Sequence, residues 1–293
     1  MHVLVTGATG FIGSAVVSEL TRAGHHVVGL ARSDASAAAL EAVGAEVLRG
    51  SLDDPDGLRA GAAASDGVIH LAFIHDFSAY EEAGRVDARA VEALGAGLAG
   101  SDRPLVVTAG ALGLPVDRVA TEQDAPVSVA RMSEQTALPL AGQGVRSSVI
   151  RLAPTVHGEG DRGFVPTLIG IARATGVSGY LGDGAGRWPA VHRSDAARLF
   201  RLALEGAPAG SILHGVAEEG VPTRTIAETI GRHLGLPVVS IAPEQAGEHF
   251  GWLAGFFGVD ARVSSALTQQ LLGWQPEEIG LLEDLDQGHY FVR

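Results

Sequence analysis

Some segments of the chain have the apolar pattern of a strand and others have that of a helix. The first change from one pattern to the other lies near the amino terminus. An apolar run at 3–5 leads directly into a turn with glycines at positions 7, 10 and 13. Beyond the turn, Ile12, Val16 and Leu20 recur at helical spacing, and Gly24 stands where the helix would end. This order predicts a strand, a tight turn and an amphipathic helix.

Strands continue to alternate with helices through most of the chain. Pro139 is expected to shorten one of the helices, because proline lacks the amide hydrogen that a helix interior needs. Strands and helices in this order predict a doubly wound parallel α/β sheet of the Rossmann type, and 293 residues leave room for a smaller second lobe. The predicted strands are 27–30, 45–49, 67–72, 104–108, 146–152 and 211–216, and the predicted helices are 36–43, 79–99, 131–142, 164–175 and 221–235.

The three glycines of the first turn predict a nucleotide site. Glycine tolerates the positive φ of such a turn, lets the backbone approach a pyrophosphate and lets the helix lie close to the strand. The free amide groups and the positive dipole end of the helix favour a bound phosphate. The surrounding strand, helix and second strand are the context that this motif requires.

Composition narrows the function further. A net charge of −13 disfavours nucleic acid or an anionic membrane as a partner, because their phosphates would be repelled. The sequence has no cysteine and no run of eighteen apolar residues, and its first predicted strand begins at residue 2, so we expect a cytoplasmic protein without a signal peptide. All 21 basic residues are arginine. We predict no metal site.

Residues at the end of the second strand indicate which dinucleotide binds. An acidic residue there would hold the ribose hydroxyls of NAD, whereas Arg32 and Ser33 suit the 2′-phosphate of NADP. The alternative is that Arg32 is an ordinary solvated residue at a strand end. The sequence therefore favours NADP(H) as the cofactor.

Several segments resemble the extended short-chain dehydrogenases/reductases, which include epimerases and dehydratases. They are TGATGFIG, DGVIHLA at 66–72, RLAPTVHGEGDRGFVP at 151–166, AVHRSDAAR at 190–198 and LGWQP at 272–276. The resemblance implies a dinucleotide-binding domain of 1–153 with 190–217, and a substrate lobe of 154–189 with 218–293. It also implies cofactor contacts at Gly7, Thr9, Gly10, Phe11, Ile12, Gly13, Arg32, Ser33, Leu52, Ala72, Phe73, Thr108, Pro154 and Val156.

The tyrosine and lysine that ordinary members use for proton transfer are missing. The chain has no lysine, and its tyrosines lie at 80, 180 and 290, outside the expected window. The departure resembles an atypical subgroup with HxxxR in place of YxxxK, in which Arg131 would be the arginine while Val127 replaces the histidine. Arginine can stabilise negative charge but exchanges its proton poorly. The predicted catalytic residues are Thr108, which would orient a substrate carbonyl, Arg131, Ser128 and His157.

The resemblance also implies a substrate site and a partner. Arg187 and Trp188 are expected at the mouth of the substrate cleft, with His192 near it or in a structural role. Buried His70 is interpreted as a core residue, and the aromatic residues at 249–257 either cover a substrate or fill the core. The helices at 79–99 and 131–142 would form a homodimer contact.

Three functions remain open at this stage. The first is an NADP(H)-dependent oxidoreductase that reduces a small carbonyl or imine substrate by hydride transfer. The second is a sugar-nucleotide epimerase or dehydratase, which normally needs the missing tyrosine. The third is a non-catalytic dinucleotide sensor that binds regulatory proteins, and the loss of the Tyr-Lys pair favours it.

Overall fold

The computed structural model describes residues 1–74, 79–115, 117–126 and 132–292. The strands of the described chain are β1 (His2–Thr6), β2 (His26–Ala31), β3 (Glu46–Arg49), β4 (Gly67–His70), β5 (Pro104–Gly110), β6 (Arg146–Leu152), β7 (Thr155–His157), β8 (Ser178–Leu181), β9 (Arg187–His192), β10 (Ser211–Gly215), β11 (Glu218–Pro222) and β12 (Val238–Ile241).

Helices follow most of the strands. In chain order they are α1 (Phe11–Arg22), α2 (Asp34–Ala42), α3 (Pro55–Ala63), α4 (Tyr80–Leu98), α5 (Ser133–Ala137), α6 (Phe164–Thr175), α7 (Arg193–Gly206), α8 (Thr223–Leu234), α9 (Ala246–Phe250), α10 (Ala254–Phe257), α11 (Ala266–Leu272) and α12 (Leu281–Asp286). Short 3-10 helices occur at Leu138–Gln143, Pro243–Gln245, Gly251–Leu253 and His289–Phe291.

The main sheet has seven parallel strands in the order β10-β6-β5-β4-β1-β2-β3. The strand order reverses between β1 and β4, so the connections that leave these two strands lead to helices on opposite faces of the sheet and leave a crevice there. Open α/β sheets bind their ligands in that crevice. The predicted doubly wound Rossmann-type fold is therefore confirmed.

Each face of the main sheet has its own apolar core. Successive side chains of a strand point to opposite faces, so Val3 and Val5 join one core while Leu4 joins the other. Helices α1 and α7 cover the first face, and α3 and α4 cover the second. Because both faces are covered, the strands read as apolar runs without a polar side.

A third apolar cluster belongs to the second half of the chain. It surrounds α6, α8 and the short helices α9 and α10, next to a three-stranded sheet of order β11-β9-β7 and a two-stranded pair of β8 and β12. Phe250, Leu253 and Phe257 lie inside it, which decides between the two interpretations of the aromatic segment in favour of a core for these residues. The predicted division between the two lobes stays a prediction.

Several predicted elements have different bounds in the structure. The strand expected at 67–72 ends at His70, and the one expected at 104–108 continues to Gly110. Within the described part of the expected 131–142 helix, α5 spans Ser133–Ala137 and a 3-10 helix follows from Leu138. Pro139 explains this change, because its ring disrupts the α-helical hydrogen bonds.

The predicted dimer contact through 79–99 and 131–142 remains a prediction. The buried side of α4 packs against α3 and α5, and its exposed side is charged. Arg85 pairs there with Glu81 and Glu82, and Arg89 pairs with Glu82.

Candidate dinucleotide and catalytic site

The glycines after β1 form a backbone cradle that side chains would fill. Gly7 has φ of +67°, and a Cβ built on it would lie 2.7 Å from the backbone nitrogen of Ala72. A Cβ on Gly13 would lie 2.0 Å from the carbonyl oxygen of Gly7, where α1 approaches the loop. Gly10 closes the turn by donating its amide hydrogen to the Gly7 carbonyl at 2.9 Å. This geometry fits the pyrophosphate of a dinucleotide.

The amino end of α1 is suited to an anion. Gly10 is its N-cap and supplies no side-chain cap, and the first turn has no acidic residue. Thr9 and Gly10 are exposed beside the half-buried Phe11 and Ile12. The guanidinium of Arg193 lies 5.2 Å from the centre of the Phe11 ring, which adds positive charge near this end.

Arg32 follows β2 at the carboxyl edge of the sheet and is exposed. No ion pair of Arg32 occurs in the described part of the chain. Arg49, at the end of the neighbouring strand β3, is instead paired with Asp34. Ser33 caps α2 by accepting the amide hydrogen of Ser36 at 3.2 Å. Arg32 is therefore exposed at the carboxyl edge of the sheet, and its predicted contact with the ribose phosphate stays a prediction.

The remaining predicted cofactor residues lie along the same edge. Leu52 is half-buried after β3, where it packs on the core beneath α4. Ala72 and Phe73 are half-buried beyond the end of β4, and Pro154 and Val156 lie between β6 and the end of β7. Their predicted contacts with the dinucleotide stay predictions.

Thr108 lies in β5 and is almost fully buried. Its hydroxyl group donates a hydrogen bond of 2.9 Å to the carbonyl oxygen of His70 in the neighbouring strand. In this rotamer the hydroxyl can accept a further hydrogen bond but cannot donate one to a substrate carbonyl. Two other catalytic candidates, Ser128 and Arg131, lie outside the described residues.

A buried arginine holds α5 against the sheet. Arg151 of β6 is 1% exposed and donates two hydrogen bonds, of 2.7 and 2.6 Å, to the carboxylate of Glu134. Its Nη1 donates to the carbonyl oxygen of Asp124 at 2.9 Å and to Nε2 of His214 at 3.3 Å. His214 is therefore neutral, with its proton on Nδ1 donated to the Ser264 carbonyl at 2.7 Å. Burial accordingly lowers the pKa of His214.

His157 lies in a second buried polar cluster. Its Nδ1 bonds the carboxylate of Asp284 at 2.9 Å, and its side chain is 1% exposed. The hydroxyl of Tyr290 donates to Asp161 at 3.0 Å and accepts the amide hydrogen of Gly158 at 3.1 Å. Burial raises the pKa of the Asp161 carboxyl and that of the Tyr290 hydroxyl. These contacts tie the carboxyl terminus to β7 and favour a structural role for His157 over the predicted catalytic one.

Each of the three predicted substrate residues forms contacts within the protein. Trp188 is fully buried, with its indole nitrogen donating to the Phe256 carbonyl at 3.3 Å, so its expected position at the mouth of the cleft is wrong. Arg187 is partly exposed, and its side chain donates two hydrogen bonds to Asp260, which also accepts the Arg187 amide hydrogen. His192 caps α7 by accepting the Ser194 amide hydrogen at 3.2 Å, which agrees with its structural alternative.

Sequence reasoning missed two polar residues that contact one another beneath the site. Asp87 of α4 and Ser133 of α5 are fully buried, and the Ser133 hydroxyl donates to the Asp87 carboxylate. The available signal was the position of Asp87, because it shares the helical spacing of the buried residues Val91 and Leu94. An acidic residue on the apolar face of a helix indicates a buried partner.

Comparisons with known proteins agree with this geometry. The model of the NAD dependent epimerase/dehydratase family matches residues 3–92. An uncharacterized protein of Schizosaccharomyces pombe is 51% identical over 299 residues, which cover 99% of this chain and 100% of that protein. A 2-alkyl-3-oxoalkanoate reductase of Stenotrophomonas maltophilia is 29% identical over 263 residues, which cover 83% of this chain and 78% of the reductase.

A solved structure extends the comparison to the fold. The dTDP-glucose 4,6-dehydratase of Streptomyces venezuelae, determined with NAD bound, matches with a TM-score of 0.80 at 19% identity. The match covers 99% of this chain and 96% of the dehydratase. At this identity the likeness concerns the fold alone.

The described residues contain neither a membrane-spanning helix nor a metal-binding cluster. No helix there combines the length and the apolar character that a bilayer span requires. Within the same ranges, no group of three or more histidine, aspartate or glutamate side chains is arranged to hold a metal ion.

Proposed function

Since this chain belongs to the extended short-chain dehydrogenase/reductase family, in its NAD-dependent epimerase/dehydratase branch, we propose that it is an NADP(H)-dependent oxidoreductase acting on a small carbonyl or imine substrate. The observation that carries the cofactor assignment is the glycine cradle with exposed Arg32 beside it. Bound NADPH would supply the hydride.

The chain's own residues would bind and orient the reactants. The loop from Gly7 to Gly13 and the amino end of α1 hold the pyrophosphate, and Arg32 pairs with the 2′-phosphate. Thr108 lies at the carboxyl end of β5, and a rotation of its hydroxyl would let it donate to a substrate oxygen. Arg131 would stabilise negative charge on that oxygen.

The substrate class is supported by the reductase of Stenotrophomonas maltophilia, whose name describes a 3-oxo acid as its substrate. We therefore place 3-oxo acids first among the candidate carbonyl compounds. A sugar-nucleotide substrate has weaker support, because the dehydratase of known structure shares only the fold with this chain.

Cofactor preference is tested by titrating NADPH and NADH into the wild type and the Arg32→Ala variant. Loss of one charge-assisted phosphate contact should raise the Kd for NADPH by about 10- to 100-fold and leave that for NADH nearly unchanged. Arg59→Ala, an exposed arginine on α3, is the control and should change neither value. Equal losses for both dinucleotides in Arg32→Ala would contradict the assignment of Arg32.

Turnover is tested by following NADPH consumption with 3-oxo acids, aldehydes, ketones, cyclic imines and nucleotide sugars. Consumption with one of the first four classes supports the proposal. Tight NADPH binding without turnover of any class would contradict the enzymatic assignment and favour the sensor.

A further inference from the structure

A continuous chain of hydrogen bonds runs through the buried interior from the phosphate loop to α5. The Thr6 hydroxyl lies 2.8 Å from Nδ1 of His70, and Nε2 of His70 lies 3.1 Å from the carboxylate of Asp87. The other carboxylate oxygen of Asp87 accepts from the Ser133 hydroxyl. All four side chains are fully buried. The chain therefore links residues of β1, β4, α4 and α5 without solvent.

Donors and acceptors along the chain are matched. The Thr6 oxygen accepts the amide hydrogen of Ala72 at 3.2 Å, so its own hydrogen can be donated to Nδ1 of His70. Nε2 of His70 then donates to Asp87, which accepts from both sides. The bonds from Thr6 through His70 point in one direction towards the buried carboxylate and strengthen one another, and the Ser133 bond reaches the same carboxylate from the other side. Movement at one end of such a chain changes the bonds along its length.

The two ends of this hydrogen-bond chain lie at different parts of the proposed site. Thr6 directly precedes Gly7, and its partner Ala72 is the residue that the missing Cβ of Gly7 would touch. Ser133 is the first residue of α5, which packs on β5, the strand that carries Thr108. The chain thus joins the pyrophosphate cradle to the helix that borders the proposed reaction site.

We propose that Thr6, His70, Asp87 and Ser133 are positioning residues, whose hydrogen-bonded chain couples occupancy of the phosphate loop to the placement of α5. A bound pyrophosphate restrains Gly7 and Ala72, and the chain transmits this restraint to Ser133. The identity of the ligand as NADPH rests on the proposed function, whereas the hydrogen-bond chain does not.

The first experiment needs no ligand. Hydrogen–deuterium exchange is followed in peptides that cover 133–143. Thr6→Val removes the hydroxyl at nearly constant volume and should accelerate exchange in α5 although Thr6 lies in a different strand, whereas Thr6→Ser should restore the slow exchange of the wild type. Unchanged exchange in Thr6→Val would overturn the proposal whatever the protein binds.

The second experiment adds NADPH and NADH, with their Kd values measured on the same samples. Dinucleotide should slow exchange in α5 of the wild type, and this difference should disappear in Asp87→Asn and Ser133→Ala. The control is Ser148→Ala, because the Ser148 hydroxyl is buried in β6 and has no partner among the described residues. In the Ser148→Ala variant, dinucleotide should still slow exchange in α5.

The outcomes separate the two proposals. If neither dinucleotide binds, the proposed function fails. The ligand-free result for Thr6→Val still decides whether the hydrogen-bond chain links β1 to α5. If a dinucleotide binds without slowing exchange in wild-type α5, the coupling is refuted and the cofactor assignment stands. With a substrate in hand, Ser133→Ala should lower kcat by about 10- to 100-fold and, because coupling is reciprocal, should also raise the KM for NADPH. An unchanged kcat would contradict a positioning role.

Discussion

Replacing Glu134 with alanine should strongly destabilise the protein, because it leaves a buried arginine without its counter-charge. Arg151 is 1% exposed, and two of its hydrogen bonds go to Glu134. Each hydrogen bond to a charged group contributes about 1.5–3 kcal/mol. Removing one partner of a buried ion pair costs about 3–5 kcal/mol. These two estimates agree, so we expect the free energy of unfolding to fall by about 3–5 kcal/mol.

Urea unfolding followed by circular dichroism measures this loss directly. Thermal unfolding should show Tm lower by about 6–20 °C, at about 2–4 °C for each kcal/mol in a protein of similar size. Gln135→Ala changes the neighbouring exposed residue of the same helix and should leave stability within about 0.5 kcal/mol of the wild type.

The double variant Glu134→Leu with Arg151→Met tests the reason for the loss. It removes both charges, so it should recover most of the stability that Glu134→Ala loses. A loss below about 1 kcal/mol in Glu134→Ala would refute the reasoning, since it would mean that solvent reaches the guanidinium. A double variant less stable than the single one would show that the ion pair itself stabilises the fold.

Three further outcomes follow from the structure. Gly13→Ala should abolish binding of NADPH in a fluorescence titration, because the new Cβ would lie 2.0 Å from the carbonyl oxygen of Gly7; retained binding would show that the loop can shift. Gly170→Ala, in an open and exposed position of α6, should instead raise the free energy of unfolding by about 0.5–1 kcal/mol in urea, and a loss would contradict that placement. Because burial lowers the pKa of His214 below its unfolded value of about 6.5, its contribution to stability is complete above that pH and is lost as the pH falls below it. Urea unfolding between about pH 7 and pH 5 should therefore show a weaker pH dependence in His214→Gln, and an unchanged dependence would contradict this assignment.

Local patterns were sufficient to predict the first part of the fold. The apolar run of β1, the glycine turn and α1 are decided by residues that are neighbours in sequence. Positive φ at Gly7 and the close packing at Gly13 follow from the absence of a side chain. The alternation of strands with helices also predicted a parallel sheet, because it restricts how the chain can cross from one strand to the next.

Contacts between distant segments decided what the sequence could not predict. The resemblance placed Trp188 at the mouth of a cleft, but its ring packs against Phe164 of α6 and Phe257 of α10. His157 was considered catalytic, and its partner Asp284 lies 127 residues further along the chain. None of these partners leaves a local signature in the sequence around Trp188 or His157.

The contacts of α5 connect the stability of the fold to the proposed site. Five residues are too few for a helix to be stable in isolation, so its position depends on tertiary contacts. Ser133 bonds the carboxylate of Asp87 in α4, and the next residue, Glu134, bonds Arg151 in β6. Apolar residues at these positions would avoid the cost of burying charges. Hydrogen bonds to charged groups are directional, however, and fix orientation as well as distance. We infer that the orientation of α5 beside the strand of Thr108 is what these buried charges maintain.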